Sequence, residues 1–297
     1  MTGKQKGLLF AFLAALIYGV TFTIAKEVMK IHIPSFAFVL MRVGGAMFIF
    51  QLISQFFPAE KIYKKDYKRF FIAAVFGIGI NMTSFMAGLT YTTPISASVL
   101  MITAPIFVMI LSFFLLKNPI TIYKVIGVLL GMGGATFLIL YGKSFDFKGS
   151  NPRLGNFLIT LNAISYALYI ILAKPLLQQY SPITFAKWLY TFGFIIVFPL
   201  GIQELININW YEIPLEIHLQ IAFVVLFATV LTYLFNLIAL QQLKPTTMIV
   251  FIYLQPLIAS IFAIFVGADQ LTSTKIIAAI FIISGVYLVN KSKKDEL

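Results

Sequence analysis

The sequence predicts an all-α membrane protein in which ten transmembrane helices form two inverted five-helix repeats. Three observations carry that expectation. The first is composition: 60% of the 297 residues are hydrophobic and 11% are charged, where soluble domains run about 45–50% apolar and about 25% charged. A soluble core of this length cannot hide so much apolar surface, which excludes a soluble enzyme and a disordered chain. The absence of Cys excludes a disulfide-stapled secreted domain. The second observation is ten apolar runs, each close to the roughly 20 residues that a helix needs to cross hydrocarbon. Helices satisfy their own backbone groups in lipid, and alternating barrel strands would not give unbroken runs of this length. The third is that the chain matches itself at offsets of 148 and 151.

In chain order, the first run, 7–26, follows Lys4 and Lys6, and its GLLFAFLAALIYG has the form of a secretory signal. Its length and its recurrence near residue 155 make it a retained helix, with Tyr18 and Thr21 at i, i+3. The second run, 34–57, carries Arg42 about eight residues in, roughly 12 Å deep at about 1.5 Å per residue. There the guanidinium either receives a substrate carboxylate, or snorkels outward, or bonds helix-end carbonyls. The third run, 69–91, places Asn81 and Ser84 at i, i+3. The fourth, 94–116, opens with Pro94, where proline is comfortable, and contains Pro105, which removes a backbone bond and marks either a static kink or a hinge. The fifth, 121–141, sets Gly127 and Gly131 on one face beside Gly133 and Gly134. Such small-residue faces allow close helix packing, here against the tenth helix; the alternative is a homodimer through helices 5 and 10.

The sixth run, 154–176, aligns Asn162, Tyr166 and Tyr169 at i, i+4, i+7. The seventh, 182–203, holds Lys187, near enough to the interface to snorkel, and Trp188. The eighth, 217–240, repeats the sixth's spacing with Thr229, Tyr233 and Asn236. The ninth, 245–267, opens with Pro245 and carries Gln255 and an internal Pro256, the counterpart hinge. The tenth spans 273–290.

The self-match divides the chain into repeats 1–150 and 151–297. At 148, Gly7 meets Gly155, Tyr18 meets Tyr166 and Lys26 meets Lys174; at 151, Pro94 meets Pro245, Pro105 meets Pro256 and Lys124 meets Lys275. Five helices per half invert the second half relative to the first, an arrangement suited to alternating access around a site at the bilayer midplane. With the N-terminus in the cytoplasm, fourteen Lys and Arg fall inside, six fall outside, and Arg42 and Lys187 lie within spans. That bias puts both termini in the cytoplasm. The stretch 204–218, with Glu204, Glu212 and Glu216 and no Lys or Arg, fits the outer side. The closing KKDEL then reads as a basic tail rather than a lumenal retrieval tag.

Polar side chains are costly in lipid and are expected to face a cavity or a partner helix. Tyr18, Thr21, Arg42, Asn81, Ser84, Asn162, Tyr166, Tyr169, Trp188, Thr229, Tyr233, Asn236 and Gln255 together describe an aromatic, amide-lined pocket for a neutral or zwitterionic small molecule. The competing reading of each is an interhelical hydrogen bond, worth about 0.6 kcal/mol. None of the ten acids falls mid-span, and His32 and His218 fall at outer loops. A proton relay needs a titratable group within the membrane, so uniport or exchange is expected, or coupling through a group the sequence does not single out. A membrane-embedded enzyme would need convergent His, acid, Ser or Cys groups, and a channel would need charged rings or a carbonyl filter. No phosphate-binding loop is present. Neither a catalytic residue, a metal, a cofactor nor a nucleic-acid partner is expected; the lipid bilayer and a small-molecule substrate are.

The opening GLLFAFLAALIYGVTFTIAK and its echo GNFLITLNAISYALYIILAK, with PSFAFVLMR, YTTPISASVLMITAPIFVMILSFFLL, KVIGVLLGMGGATFLILYG and LKPTTMIVFIYLQPLIASIFAIFVGADQLT, cover nearly the whole chain. In these segments the sequence resembles the drug/metabolite transporter superfamily in its ten-helix form with two EamA-type repeats. The resemblance implies a bacterial cytoplasmic (inner) membrane and transport of small organic solutes, often export of amino acids or related metabolites. One departure stands out. The family often places an acid just before the fifth and tenth helices; here the second half has Asp269 and the first has Asn118.

Overall fold

The computed structural model describes residues 1–31, 33–140, 150–265 and 270–291, and within these the side chains of all but 20–31, 94 and 95. Asp269, the KKDEL tail, His32 and the side chain of Thr21 therefore lie outside the described residues.

The ten expected runs correspond to ten helices: α1 (Gly3–Ile31), α2 (Ser35–Ser54), α3 (Lys64–Tyr91), α4 (Ser96–Leu116, with Pro94 in its opening turn), α5 (Ile122–Leu140), α6 (Pro152–Leu177), α7 (Pro182–Ile206), α8 (Leu215–Gln242), α9 (Pro245–Phe265) and α10 (Ser273–Lys291). Among the described residues there is no strand, and nine helices are long and apolar enough to cross a membrane. Helix α1 adds 29 residues, or about 44 Å of helix. Several helices outrun their apolar stretches. Helix α3 starts at Lys64 rather than at 69, because hydrophobicity marks the bilayer and not the end of backbone hydrogen bonding. Its first turn also carries Asp66, which favours a helix N-terminus. Helix starts follow local chemistry: Thr93, Asn151 and Ser181 each accept a backbone N–H three residues on, ahead of a proline in the first turn.

Many large apolar side chains face outward, among them Phe114 (70% exposed), Ile195 (60%) and Leu219 (63%). Lipid is the solvent for that surface. Inside, the main helix pairings have counterparts when the halves are exchanged. Helix α1 packs on α8 and on α9, as α6 packs on α3 and on α4; α2 packs on α7, α4 on α9, and α5 on α10. The equivalent helices run antiparallel. Along α2, Phe36 meets Gly201, Gly44 meets Phe194 and Gln51 bonds Thr191. Along α5, Gly127 meets Val289 and Gly285, and Gly134 meets Ile282 and Ala278. These are the registers that inverted repeats require. Both ends of the α2–α7 pair are also tied: Glu204 accepts the N–H groups of Phe36 and Ala37 at 2.9 Å, and Glu60 accepts that of Ser181 at 3.0 Å. Each carboxylate thereby satisfies the open N-terminus of a helix in the other half.

The straight helices expected for the third and eighth runs are interrupted. Val75–Ile80 in α3 and Val224–Leu231 in α8 are π-helical, and their starts lie 149 residues apart, close to the repeat offsets. A π turn leaves carbonyls without their usual partner, and hydroxyls take them. Thr229 and Thr232 bond the carbonyls five residues back, of Val224 at 3.0 Å and Phe227 at 2.7 Å. Ser165 of α6 reaches the Phe76 carbonyl at 2.7 Å, and Thr83 bonds that of Gly79. The backbone also changes ahead of the two internal prolines. Helix α4 loosens to a turn at 102–103, just before Pro105, and α9 tightens to a 3-10 turn at Val250–Tyr253, just before Pro256.

Candidate functional site

At the junction of α1, α6, α8 and α9 lies a cavity of about 30 Å³. Tyr18, Tyr166, Asn236 and Gln255 give it polar groups; Ala11, Ala15, Met248, Ile249, Phe251 and Ile252 complete its wall. The two tyrosines occupy the same position in the two halves, 148 residues apart. A water needs about 10–15 Å³ of such space, so the cavity holds a water or two and no metabolite until its walls separate. Ala11 and Ala15, each 3% exposed or less, let α8 and α9 approach α1 closely.

Beside the cavity stands a second group. Arg42 donates from Nε to the Thr229 hydroxyl at 3.0 Å, and its guanidinium lies 5.9 Å from the centre of the Phe38 ring. Its guanidinium lies within electrostatic range of the hydroxyls of Tyr18, Tyr190 and Tyr233. The rings of Tyr190 and Tyr233 meet edge to face at 5.4 Å, and Tyr190 stacks on Phe50. Tyr169 lies 6.0 Å from Tyr166, ring centre to ring centre, and packs so closely on Gly77 that a Cβ there would come within 2.5 Å of its ring. Tyr18 joins the two groups, since it lines the cavity and also feels Arg42.

The other expected site residues are placed elsewhere. Asn81 and Asn162 pair α3 with α6: each amide donates to the other residue's carbonyl, at 3.3 and 2.7 Å. That is the interhelical hydrogen bonding weighed against cavity lining, and it leaves Asn162 Oδ1 buried without a partner. Ser84 is buried on the same helix. Trp188 packs against Tyr67 at 4.8 Å and Phe192 at 5.8 Å, on the α3 side of α7 and away from the cavity. Thr229 lies in the π stretch, so the spacing that aligned it with Tyr233 and Asn236 no longer holds: it meets Arg42 while Asn236 reaches the cavity.

Tyr190 is the residue that periodicity passed over. It is fully buried, and its hydroxyl has no partner among the described residues. The repeat offset does single it out, because residue 190 is the counterpart of Arg42 at 148. Among the described residues no three His, Asp or Glu side chains converge as metal ligands would. The only ion pair found among them, Arg69 with Asp66 at 2.9 Å, lies in the first turns of α3.

The model of the EamA-like transporter family matches residues 5–140 and again residues 153–291. A WAT1-related protein of Arabidopsis thaliana is 29% identical over 252 residues, which cover 77% of this chain and 66% of that relative. An uncharacterized transporter of Archaeoglobus fulgidus is 25% identical over 285 residues, covering 95% and 97%. A crystal structure of another protein superposes with a TM-score of 0.77 over 96% of both chains at 16% identity, a likeness of fold alone.

Proposed function

The chain belongs to the EamA-like transporter family and is a multi-pass membrane transporter, and from that premise we propose that it exports or exchanges small organic metabolites such as amino acids by alternating access around the central cavity. The observation that carries the reading is the cavity itself. Both halves wall it with a tyrosine at the same position, and it has too little space for a substrate. A site built this way fills only if the helices around it part, and equivalent halves can part on either side. The antiparallel registers of α2 with α7 and of α5 with α10 support inverted repeats 1–150 and 151–297. The Lys and Arg bias supports cytoplasmic termini in the cell (inner) membrane. A homodimer through α5 and α10 would use their outer faces, since α10 and Tyr253 already occupy Gly127, Gly131 and Gly134.

Two expectations test the mechanism. The first concerns Pro105 and Pro256, which are the hinges of this account. Replacing either with Ala restores a backbone bond across the bend, and transport should slow severalfold while substrate binding, read by thermal shift, persists. Unchanged flux in both variants would contradict the hinge role. The second concerns energy. With no acid or His mid-span, flux in proteoliposomes should proceed without a pH gradient and should saturate. Obligatory proton coupling would refute uniport and exchange, and flux without saturation would favour a channel.

A further inference from the structure

Arg42 stands apart from the other polar groups of the site, because each of those is neutral. It lies seven residues into α2, about 11 Å along the helix. Its contacts among the described residues are the Thr229 hydroxyl and the Phe38 ring. Both are neutral, and no carboxylate among the described residues lies within ion-pairing distance. The terminal guanidinium nitrogens, which can grip both oxygens of a carboxylate, have no protein acceptor there. The side chain is only partly buried, so the charge is accessible rather than sealed in the packing. An unpaired charge in a low-dielectric interior is expensive. One class of ligand relieves it.

Resting on the transporter reading above, we propose that the substrate is an organic anion whose carboxylate is held by Arg42, and that this pairing makes the protein an obligatory exchanger. With the site empty, closing it carries an uncompensated guanidinium into the low-dielectric interior. With a carboxylate bound, the site is neutral and closes at lower cost. The loaded form therefore reorients faster than the empty one, and solute on the far side accelerates release on the near side. Among the described residues the site offers no acid for an ammonium group, so an amine without a carboxylate has no counter-ion in it.

The test uses panels matched skeleton for skeleton: aliphatic and aromatic carboxylates, the corresponding amides and amines, and the L-amino acids as a separate zwitterionic comparison. Binding is read as thermal shift of the purified protein and transport as counterflow in proteoliposomes. The account expects at least one carboxylate to stabilise the protein while its amide and amine do not. Arg42→Gln should weaken that binding at least tenfold, and Arg42→Lys less. Empty Arg42→Gln should be no less stable than the unmodified protein, because relief of the uncompensated charge offsets the lost bond to Thr229. Carboxylate outside should speed efflux at least tenfold, and Arg42→Gln should abolish the acceleration. Stabilisation by an amide or amine equal to that by its carboxylate, or undiminished carboxylate binding in Arg42→Gln, overturns the proposal. So does the absence of any shift across the carboxylates. If Arg42→Gln does not fold, the discrimination between carboxylate and amide by the unmodified protein decides. Flux of a neutral or cationic solute would leave the transporter reading standing and sink only the anion site; flux of nothing would sink both.

Discussion

Tyr166→Ala is expected to lower transport at least tenfold while the protein still folds and inserts. Tyr166 walls the cavity opposite its counterpart Tyr18 and lies against Tyr169. Truncation removes a hydroxyl hydrogen bond worth about 0.5–1.5 kcal/mol and aromatic contacts worth a similar amount. At about 1.4 kcal/mol per factor of ten, the sum is a loss of roughly one to two decades in affinity for the substrate. Tyr166→Phe keeps the ring and should lose about tenfold or less. Counterflow measured on both variants, normalised to folded protein, checks the ordering. A Tyr166→Ala protein that transports at the unmodified rate would take the cavity off the solute's path.

The second large effect concerns the fold. Gly285→Leu should cost about 3 kcal/mol, at the upper end of what overpacking does. A Cβ on residue 285 would lie 2.6 Å from the Gly127 carbonyl oxygen and from the Gly131 nitrogen. Those atoms are backbone and cannot rotate away, so α5 and α10 must separate along their length. The loss should appear as a fall of several degrees in the melting temperature or as failure to accumulate in the membrane. Gly133→Ala is the matched comparison. Nothing lies within 4 Å of the added carbon, and the gain in helix propensity is up to about 1 kcal/mol. Equal melting of Gly285→Leu and the unmodified protein would mean that the helices do not meet as described.

The fold was legible because bilayer thickness sets a length that the sequence must honour. Ten runs of the right length became ten helices, and the glycine face of the fifth anticipated its packing on the tenth. The π stretches were not legible. Val75–Ile80 and Val224–Leu231 contain almost only apolar residues, and nothing in a hydrophobic period distinguishes a fifth-residue bond from a fourth. The site was legible in part. Tyr18, Tyr166, Asn236 and Gln255 come together at one cavity, as a shared polar midplane implies. Helical spacing says which residues share a face but not which helix that face meets. Asn162 therefore turns out to bind the backbone of α3, and Trp188 to pack on Tyr67. Arg42 and Thr229 are 187 positions apart, and only the packing of α2 on the interrupted α8 brings them together. For Tyr190 the one signal was its equivalence to Arg42 under the repeat.

The account rests on two halves that enter the membrane from opposite sides, and equivalent loops report on that directly. The chain has no cysteine, so Ala59→Cys, between α2 and α3, and Tyr211→Cys, between α7 and α8, each introduce a single exposed thiol. On intact cells a membrane-impermeant maleimide should label Tyr211→Cys and spare Ala59→Cys, and inside-out vesicles should reverse the pattern. Labelling of both positions from the same face would place the halves in the same sense and remove the basis for alternating access.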